Sequence, residues 1–287
     1  MRDRALLLRR AALALGVVVS LAVPVLTLPR LPEVSPWPAL AALPAWVIGK
    51  YVLCPLRWHA LTDAGLGRWW HLRAYAESEL LGLLTPGHVG ADLWRMHRLR
   101  RSGLGGGDAV ASVGLDRFVG AVGLVVFMVF AGTALPLRQL LIALGVGMAM
   151  VVAVLVLRRV RPSLLPTRPL PPPRRFLFGL AMSVAYQLSI AALLFGTVAA
   201  TGHTLSLLEL IGAFGATQLA GAAPGPHGAS PRDGALVLAL VALGLPLIAA
   251  AAAVALKATF AWLPAIALGG SRLLLTRRES RLAAAAA

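Results

Sequence analysis

Apolar stretches long enough to cross a bilayer recur along the whole chain, and they leave little choice of fold. At a rise of 1.5 Å per residue, about 20 apolar residues in an α-helix cover the roughly 30 Å of hydrocarbon in a membrane. Only 13% of the residues are charged and the mean hydropathy is +0.81, whereas soluble domains carry about 25% charged residues. We therefore predict an all-α integral membrane protein with a single membrane domain over residues 1–287. Six stretches are predicted to span: Ala5–Leu28, Trp37–Leu56, Ala109–Ala134, Leu137–Leu157, Phe176–Ala200 and Pro246–Leu268.

Two further apolar segments are interrupted. Around Tyr75–Leu84 and Leu205–Ala223, a short apolar helix is followed by a Pro-Gly turn and then by a second, amphipathic piece. Backbone broken in this way is tolerated at membrane depth only where protein or a water-filled cavity covers it. We interpret both segments as re-entrant helical hairpins, so the predicted architecture has about six transmembrane helices plus two re-entrant hairpins.

The distribution of basic residues predicts the orientation in the membrane. Of the 27 Lys and Arg residues, only Arg30, Arg138 and Arg232 fall on the side opposite the N-terminus when the spans and hairpins are laid out. Arg117 and Lys257 fall within spans. Because cytoplasmic loops carry an excess of Lys and Arg, we predict that both termini are cytoplasmic. The abundance of Ala and Arg favours a bacterial source, and hence a multi-pass protein of the plasma membrane.

Several classes of function are disfavoured by composition. The net charge of +16 does not indicate a nucleic-acid partner, because the arginines cluster in short segments between apolar runs, where topology signals and lipid contacts lie. The single Cys54 excludes an intramolecular disulfide and a multi-cysteine metal site. A phosphate-binding Gly-rich loop, a nucleophile elbow and a His-Glu-x-x-His motif are all missing from the sequence. We therefore expect no cofactor and assign no catalytic residue.

The pattern P-G-x-x-G-A occurs twice, at Pro86–Ala91 and Pro224–Ala229, 138 residues apart. A short apolar helix precedes each copy, and a span begins shortly after it. We interpret this as a duplication, with pseudo-repeat halves at about 37–134 and 176–270, joined by a span and a Pro- and Arg-rich cytoplasmic loop at 158–175. The intervening spans make the repeat inverted, an arrangement typical of secondary transporters. Each helix that resumes after the turn would point its positive N-terminal end toward an anion.

Ionisable residues within predicted spans mark a candidate site, because a charge at membrane depth is costly unless it has a function. Asp116 and Arg117 lie roughly 11 Å into the third span, and as neighbours they point about 100° apart, so we predict that each pairs with another residue. Lys257 lies near the middle of the last span, close to the repeat equivalent of Arg117. Further charges flank the hairpins: Glu77, Glu79, Asp92, Arg95, Glu209, Arg232 and Asp233. Two interpretations overlap: structural ion pairs, or a polar groove for an anionic lipid headgroup whose pairs open and close.

His88 and His227 occupy neighbouring positions of the two motifs. A two-histidine metal site with Asp92 or Asp233 as a third ligand is conceivable, but its spacing matches no zinc or iron pattern. Phosphate binding or capping of a turn suits these histidines better, and we predict no metal.

The motifs also resemble a known family. Arg57-Trp58, the segment Leu84–Arg95 and the segment Leu115–Phe118 resemble the lysylphosphatidylglycerol synthase transmembrane region, a flippase-like membrane domain. In the second half, Pro224–Leu236 is similar to the family's Pro…Gly-x-Gly…Arg-Glu-Gly-Ala segment, and Ala255–Gly269 to its closing span. The resemblance extends over about residues 40 to 270. It implies a membrane domain that moves lipids or lipid-linked molecules between leaflets.

Two departures from the family pattern concern charge. Asp233 stands where glutamate is usual, which keeps the charge, and Lys257 stands where arginine is usual, which loses the bidentate geometry of a guanidinium. In aminoacyl-lipid synthases this region is fused to a soluble catalytic domain, and we find no such domain in these 287 residues, so we do not expect synthase activity.

The sequence therefore predicts a flippase-like protein that translocates a phospholipid or a lipid-linked molecule between leaflets. Its expected partners are membrane lipids, anionic or lipid-linked, and a partner enzyme that acts on the lipid is possible. The alternatives are a membrane-embedded lipid-modifying transferase with Asp92 or Asp116 as base, and a non-transporting accessory subunit of a lipid or polysaccharide pathway. The predicted substrate-binding residues are Pro86, Gly87, His88, Gly90, Asp92, Arg95, Asp116, Arg117, Pro224, Gly225, His227, Gly228, Arg232, Asp233 and Lys257.

Overall fold

The computed structural model describes residues 35–62, 64–83, 85, 88–130, 167–218 and 230–276, with isolated positions before residue 35 and between residues 131 and 166. Within these ranges the chain forms helices and holds no β-strand. The predicted spans Ala5–Leu28 and Leu137–Leu157 fall outside the described ranges. The eight α-helices described are α1 (Trp37–Leu61), α2 (Arg68–Leu83), α3 (Val89–Arg101), α4 (Gly106–Phe130), α5 (Pro173–Ala199), α6 (Leu207–Thr217), α7 (Pro231–Ala242) and α8 (Leu247–Thr276).

Four of these helices are long and apolar enough to cross a membrane. Helices α1, α4, α5 and α8 have 25 to 30 residues and mean hydropathies of 1.6 to 2.0, so they confirm four of the six predicted spans as long apolar helices. Helices α2, α3, α6 and α7 have only 11 to 16 residues. The described helices thus follow the order long, short, short, long, and this order occurs twice.

Helix α1 continues to Leu61, whereas the predicted span ended at Leu56, and this boundary was wrong. Pro55 lies within this helix and does not end it. A π-helical turn at Gly49–Leu53 lies immediately before the proline. Such a turn shifts the hydrogen-bond register, so that the missing N–H of a proline is accommodated without ending the helix.

Helices α1 and α5 pack against each other in antiparallel directions. At one end, the Ser35 N–H donates to the Ala200 carbonyl oxygen at 3.2 Å, and at the other end Gly179 lies against the Leu61 side chain. Between them, glycines allow close approach: a Cβ at Gly196 would lie 2.5 Å from a carbonyl oxygen of α1, and one at Gly49 would overlap a serine side chain of α5. Small residues at such contacts are typical of helices packed within membranes.

The short helices pack against the ends of the long ones. In the first half, α2 lies on the C-terminal part of α8, where a Cβ at Gly269 would be 2.5 Å from the Ala76 carbonyl oxygen. In the second half, α6 lies on the C-terminal part of α4, where Phe127 and Phe214 meet edge to face at 6.4 Å. The largest apolar cluster is formed by side chains of α4, α5, α6, α7 and α8.

Both Pro-Gly motifs lie between two short helices, as predicted. Helix α2 ends at Leu83 and α3 begins at Val89, while α6 ends at Thr217 and α7 begins at Pro231. In the first turn His88 adopts a left-handed backbone conformation with φ of 58°, and the Gly90 N–H donates to the Thr85 hydroxyl at 2.7 Å. These contacts reverse the chain direction, so that α3 returns along α2.

Candidate functional site

The buried carboxylate of Asp116 joins three helices. Its two oxygens accept hydrogen bonds from Arg57 Nε of α1 and Arg95 Nη1 of α3, each at 2.7 Å. All three side chains are buried: Asp116 is 1% exposed, Arg95 2% and Arg57 6%. Charged hydrogen bonds of this length are among the strong ones in proteins, and a single acid here neutralises part of two guanidinium charges.

The ion pairs continue from Asp116 toward the surface. Arg95 Nη2 contacts Asp92 Oδ1 at 2.5 Å, and the same carboxylate receives Arg117 Nε at 3.0 Å. The side chain of Arg117 is half exposed. The prediction that Asp116 and Arg117 pair with other residues is therefore confirmed. The chain of pairs contains three arginines and two aspartates, so it carries one excess positive charge.

Arg57 follows the end of the predicted span Trp37–Leu56, yet α1 continues through it. The residue lies within α1 and is buried, and besides Asp116 it donates from Nη1 to the Ser183 hydroxyl of α5 at 3.1 Å. Gly120 of α4 leaves room for the guanidinium, because a Cβ there would lie 3.2 Å from Arg57 Nη1. The carboxylate at the centre of the pairs explains why this charge is tolerated inside the protein.

A second ion pair lies beside the first group. Lys50 lies in the π-helical turn of α1 and pairs with Glu79 of α2 at 2.8 Å. Its ammonium group stands over the rings of Tyr75 and Tyr186, at 5.8 and 5.5 Å from their centroids. Aromatic faces attract a cation in such positions.

The acids Glu77 and Glu79 face different partners, as their spacing predicted. Glu77 is fully buried and accepts from Trp94 Nε1 at 3.0 Å and from the Thr276 hydroxyl at 2.9 Å. Glu77 also pairs with Arg98 at 3.3 Å. These contacts tie α2 to α3 and to the end of α8, which is a structural role.

The second half contributes a weaker pair. Lys257 of α8 lies 3.8 Å from Asp233 of α7, and both side chains are largely buried. Asp233 also completes a capping box with Ser230 at the start of α7. Arg232, next to it, donates from Nη1 to Gln218 Oε1 at a long 3.5 Å.

Four cations, from both halves of the chain, act electrostatically on His88. Burial lowers the pKa of its imidazole well below the usual range, and the positive charges of Lys50, Arg117, Arg232 and Arg95 act in the same direction. Three of these cations belong to the first half and Arg232 belongs to the second. We call this group, His88 with its four cations, the cationic centre. Glu79, Asp92 and Asp116 pair with three of these cations, so the excess positive charge near His88 is smaller than four.

Several predicted site residues do not enter this geometry. Gly90 lies in the first turn of α3, where a Cβ would stand 2.6 Å from the Leu81 carbonyl oxygen, so it serves the close approach of the hairpin. Glu209 is exposed and forms a capping box with Ser206, and those hydrogen bonds lower the pKa of its carboxyl. The predicted residues outside the described ranges are Pro86, Gly87, Pro224, Gly225, His227 and Gly228.

No group of three or more His, Cys, Asp or Glu side chains that could hold a metal occurs in the described part of the chain. His227, the other histidine considered for a metal site, lies outside that part.

Four contributors to the site were not among the predicted site residues: Lys50, Arg57, Tyr75 and Tyr186. A signal for two of them exists in the sequence, since Lys50 and Arg57 interrupt an otherwise apolar run, and a charge in such a run requires a partner inside the protein. The two tyrosines carry no comparable signal.

The comparison with known proteins agrees with this architecture. The family model described as lysylphosphatidylglycerol synthase TM region matches residues 10–269. No curated protein and no solved structure matches the chain. The match covers most of the chain. It includes the four long apolar helices, with α8 as far as Gly269, and the ion pairs described above in both halves. This protein therefore belongs to the family of the lysylphosphatidylglycerol synthase transmembrane region, a membrane domain.

Proposed function

We propose that this protein is a flippase-like transporter that moves an anionic phospholipid or lipid-linked anion between the leaflets of the membrane. The linked ion pairs carry this proposal, since Arg57, Arg95 and Arg117 share only two aspartates and so keep one excess positive charge among apolar helices. Phosphate is the common anionic group of membrane lipids, and arginine binds it with two parallel hydrogen bonds.

We further propose that the two halves form an inverted repeat around the cationic centre. A shift of 138 residues carries α1, Trp37–Leu61, onto residues 175–199, which lie within α5 (Pro173–Ala199). The antiparallel packing of α1 against α5 supports the inversion. In such a repeat, α2–α3 and α6–α7 are re-entrant hairpins that enter from opposite faces, and their tips meet where the lipid headgroup binds.

The partners of the two outer arginines suggest how a headgroup enters. Arg117 is half exposed and shares Asp92 with Arg95, and within the described residues Arg232 donates a long hydrogen bond to Gln218. A lipid phosphate replaces these partners one for one, so that each guanidinium stays paired throughout. This matters because a buried charge that loses its partner costs several kcal/mol. The acyl chains remain in the bilayer, and transport is passive or driven by an ion gradient.

The contacts of Asp116 favour transport over the transferase alternative. A general base needs a free oxygen within reach of a substrate proton, whereas both oxygens of Asp116 accept from buried arginines. Asp116 then serves to hold Arg57 and Arg95 in place. Asp92 is the remaining candidate base, and its oxygens are likewise occupied by arginines.

Reconstitution tests the proposal. Purified protein in liposomes is given fluorescent phosphatidylglycerol or fluorescent phosphatidylcholine, and the outer-leaflet label is destroyed with a membrane-impermeant reductant. We expect faster loss of the inner phosphatidylglycerol label than in protein-free liposomes, and a smaller effect for phosphatidylcholine.

Arg117→Gln should slow the movement of phosphatidylglycerol, whereas Arg101→Gln, an exposed arginine at the end of α3, should leave it unchanged. Equal rates for wild type and empty liposomes, across anionic and lipid-linked substrates, would contradict the proposal. If changes in the surface loops abolish cellular function while Arg117→Gln is fully active, the result would favour a non-transporting accessory subunit.

A further inference from the structure

A cavity with two arginines at its edge lies apart from the cationic centre. It has a volume of about 480 Å³ and is found where the C-terminal end of α1 meets the N-terminal ends of α2 and α5. Arg68, Arg175 and His59 supply its charged and polar edge, while Leu56 and Phe178 supply apolar walls. None of the residues named in the cationic centre lines it, so it is a separate place in the described part of the chain.

The charges at this cavity are arranged for an anion. Arg68 is the first residue of α2 and Arg175 the third of α5, so both guanidiniums stand beside positive helix ends. Both side chains are exposed. Within the described residues, Arg68 forms no ion pair with a carboxylate. Phe178 is 46% exposed, which leaves an apolar surface beside the two charges.

We propose that this cavity binds the phosphate of an anionic phospholipid at the membrane surface. Arg68 and Arg175 hold the phosphate oxygens, and Leu56 and Phe178 contact the glycerol and the first methylenes of the chains. Basic pockets between transmembrane helices bind anionic headgroups in this way. The combination of two guanidiniums with an apolar wall distinguishes a lipid from free phosphate, which would leave the wall exposed to water.

Among the described residues, the positions related to this cavity by the repeat carry no such set of charges. With the 138-residue shift, Thr197 occupies the place of His59, Ser206 that of Arg68, and Trp37 that of Arg175. The Ser206 hydroxyl and N–H both donate to Glu209, so this position presents an acid instead of a cation. Within the described residues the repeat does not reproduce the charges of this cavity, so the proposed site belongs to the face that the distribution of Lys and Arg predicts to be cytoplasmic.

Lipid retention measures the site directly. Full-length protein is placed in nanodiscs in which phosphatidylglycerol is titrated into phosphatidylcholine, and native mass spectrometry counts the lipids that remain bound. Arg68→Gln/Arg175→Gln should lower the apparent affinity for phosphatidylglycerol roughly thirtyfold. The matched control Arg100→Gln/Arg101→Gln removes the same charge from two exposed arginines at the end of α3 and should change it less than about threefold.

The same assay can overturn the proposal. Equal retention by wild type and Arg68→Gln/Arg175→Gln contradicts it, and so does an equal loss in both double variants, which would indicate general surface electrostatics. Displacement of the bound lipid by millimolar inorganic phosphate would assign the site to a free anion. Should the double variant lose its helical circular dichroism, Arg68→Gln alone replaces it, with an expected loss of roughly fivefold.

This site stands independently of transport through the cationic centre. Arg117→Gln and Arg232→Gln should leave retention at the surface cavity unchanged, even where they abolish lipid movement. If the protein retains lipid through Arg68 and Arg175 but does not move lipid between leaflets, the proposed function alone is rejected. If it moves lipid but its retention does not depend on Arg68 and Arg175, the surface site alone is rejected.

Discussion

Replacing Asp116 by asparagine removes the negative charge that two buried arginines share. Asparagine keeps the size of the side chain and one carbonyl acceptor, so the change acts through charge. Arg95 retains its contact with Asp92, but Arg57 keeps only the Ser183 hydroxyl. Loss of one partner of a buried ion pair costs about 3–5 kcal/mol, and we therefore expect about 4 kcal/mol of destabilisation.

For a chain of this size, that loss corresponds to a fall in Tm of roughly 10 °C. The measurement is a thermal melt in detergent, followed by size-exclusion chromatography with fluorescence detection. Glu209→Gln is the matched control, because it makes the same acid-to-amide change at an exposed capping position, and its Tm should shift by less than about 2 °C.

A double variant separates charge from shape. Arg57→Met/Asp116→Asn removes the guanidinium that Asp116→Asn leaves without its acid, so we expect it to recover about half of the lost Tm. An Asp116→Asn protein as stable as wild type would refute the account of the buried network. A double variant that loses the sum of both single effects would do the same.

Three further predictions concern helix packing, the ion pair between Lys257 and Asp233, and the dependence of stability on pH. Gly196→Ala places a methyl group against a backbone carbonyl of α1 and should reduce the yield of monodisperse protein, whereas Gly114→Ala, in open space, should elute as wild type. Asp233→Asn leaves the Lys257 ammonium buried without its acid and should lower Tm more than Lys257→Met, which leaves the helix-capping bonds of Asp233 intact. Burial lowers the pKa of His71 to about 4, against 6.5 in the unfolded chain. The unfolded state therefore binds more protons between these values, Tm should fall as pH drops from 6.5 toward 4, and His71→Phe should weaken that dependence.

The long helices could be predicted from the sequence because their signal is local. An apolar run of sufficient length specifies a membrane helix whatever surrounds it, and α4, α5 and α8 begin within a few residues of the predicted positions. The pairing of Asp116 and Arg117 with other residues was predictable for the same reason, since helical geometry alone points them apart.

The parts that were missed depend on contacts distant in sequence. Arg57 lies beyond the predicted end of its span at Leu56, and its burial within α1 depends on the Asp116 carboxylate, 59 residues later. Lys50 depends in the same way on Glu79. The gathering of Arg232 with cations of the first half could be suspected from the repeat, but it depends on how the halves pack.

The most direct test of the central claim asks whether the two halves form one site. Movement of fluorescent phosphatidylglycerol in proteoliposomes is measured for wild type, Arg117→Gln, Arg232→Gln and the double variant. If one phosphate contacts both arginines, each single variant slows transport strongly and the double variant is little slower than either. Rates for both single variants that equal the wild-type rate, or losses that multiply in the double variant as for independent sites, would contradict the account.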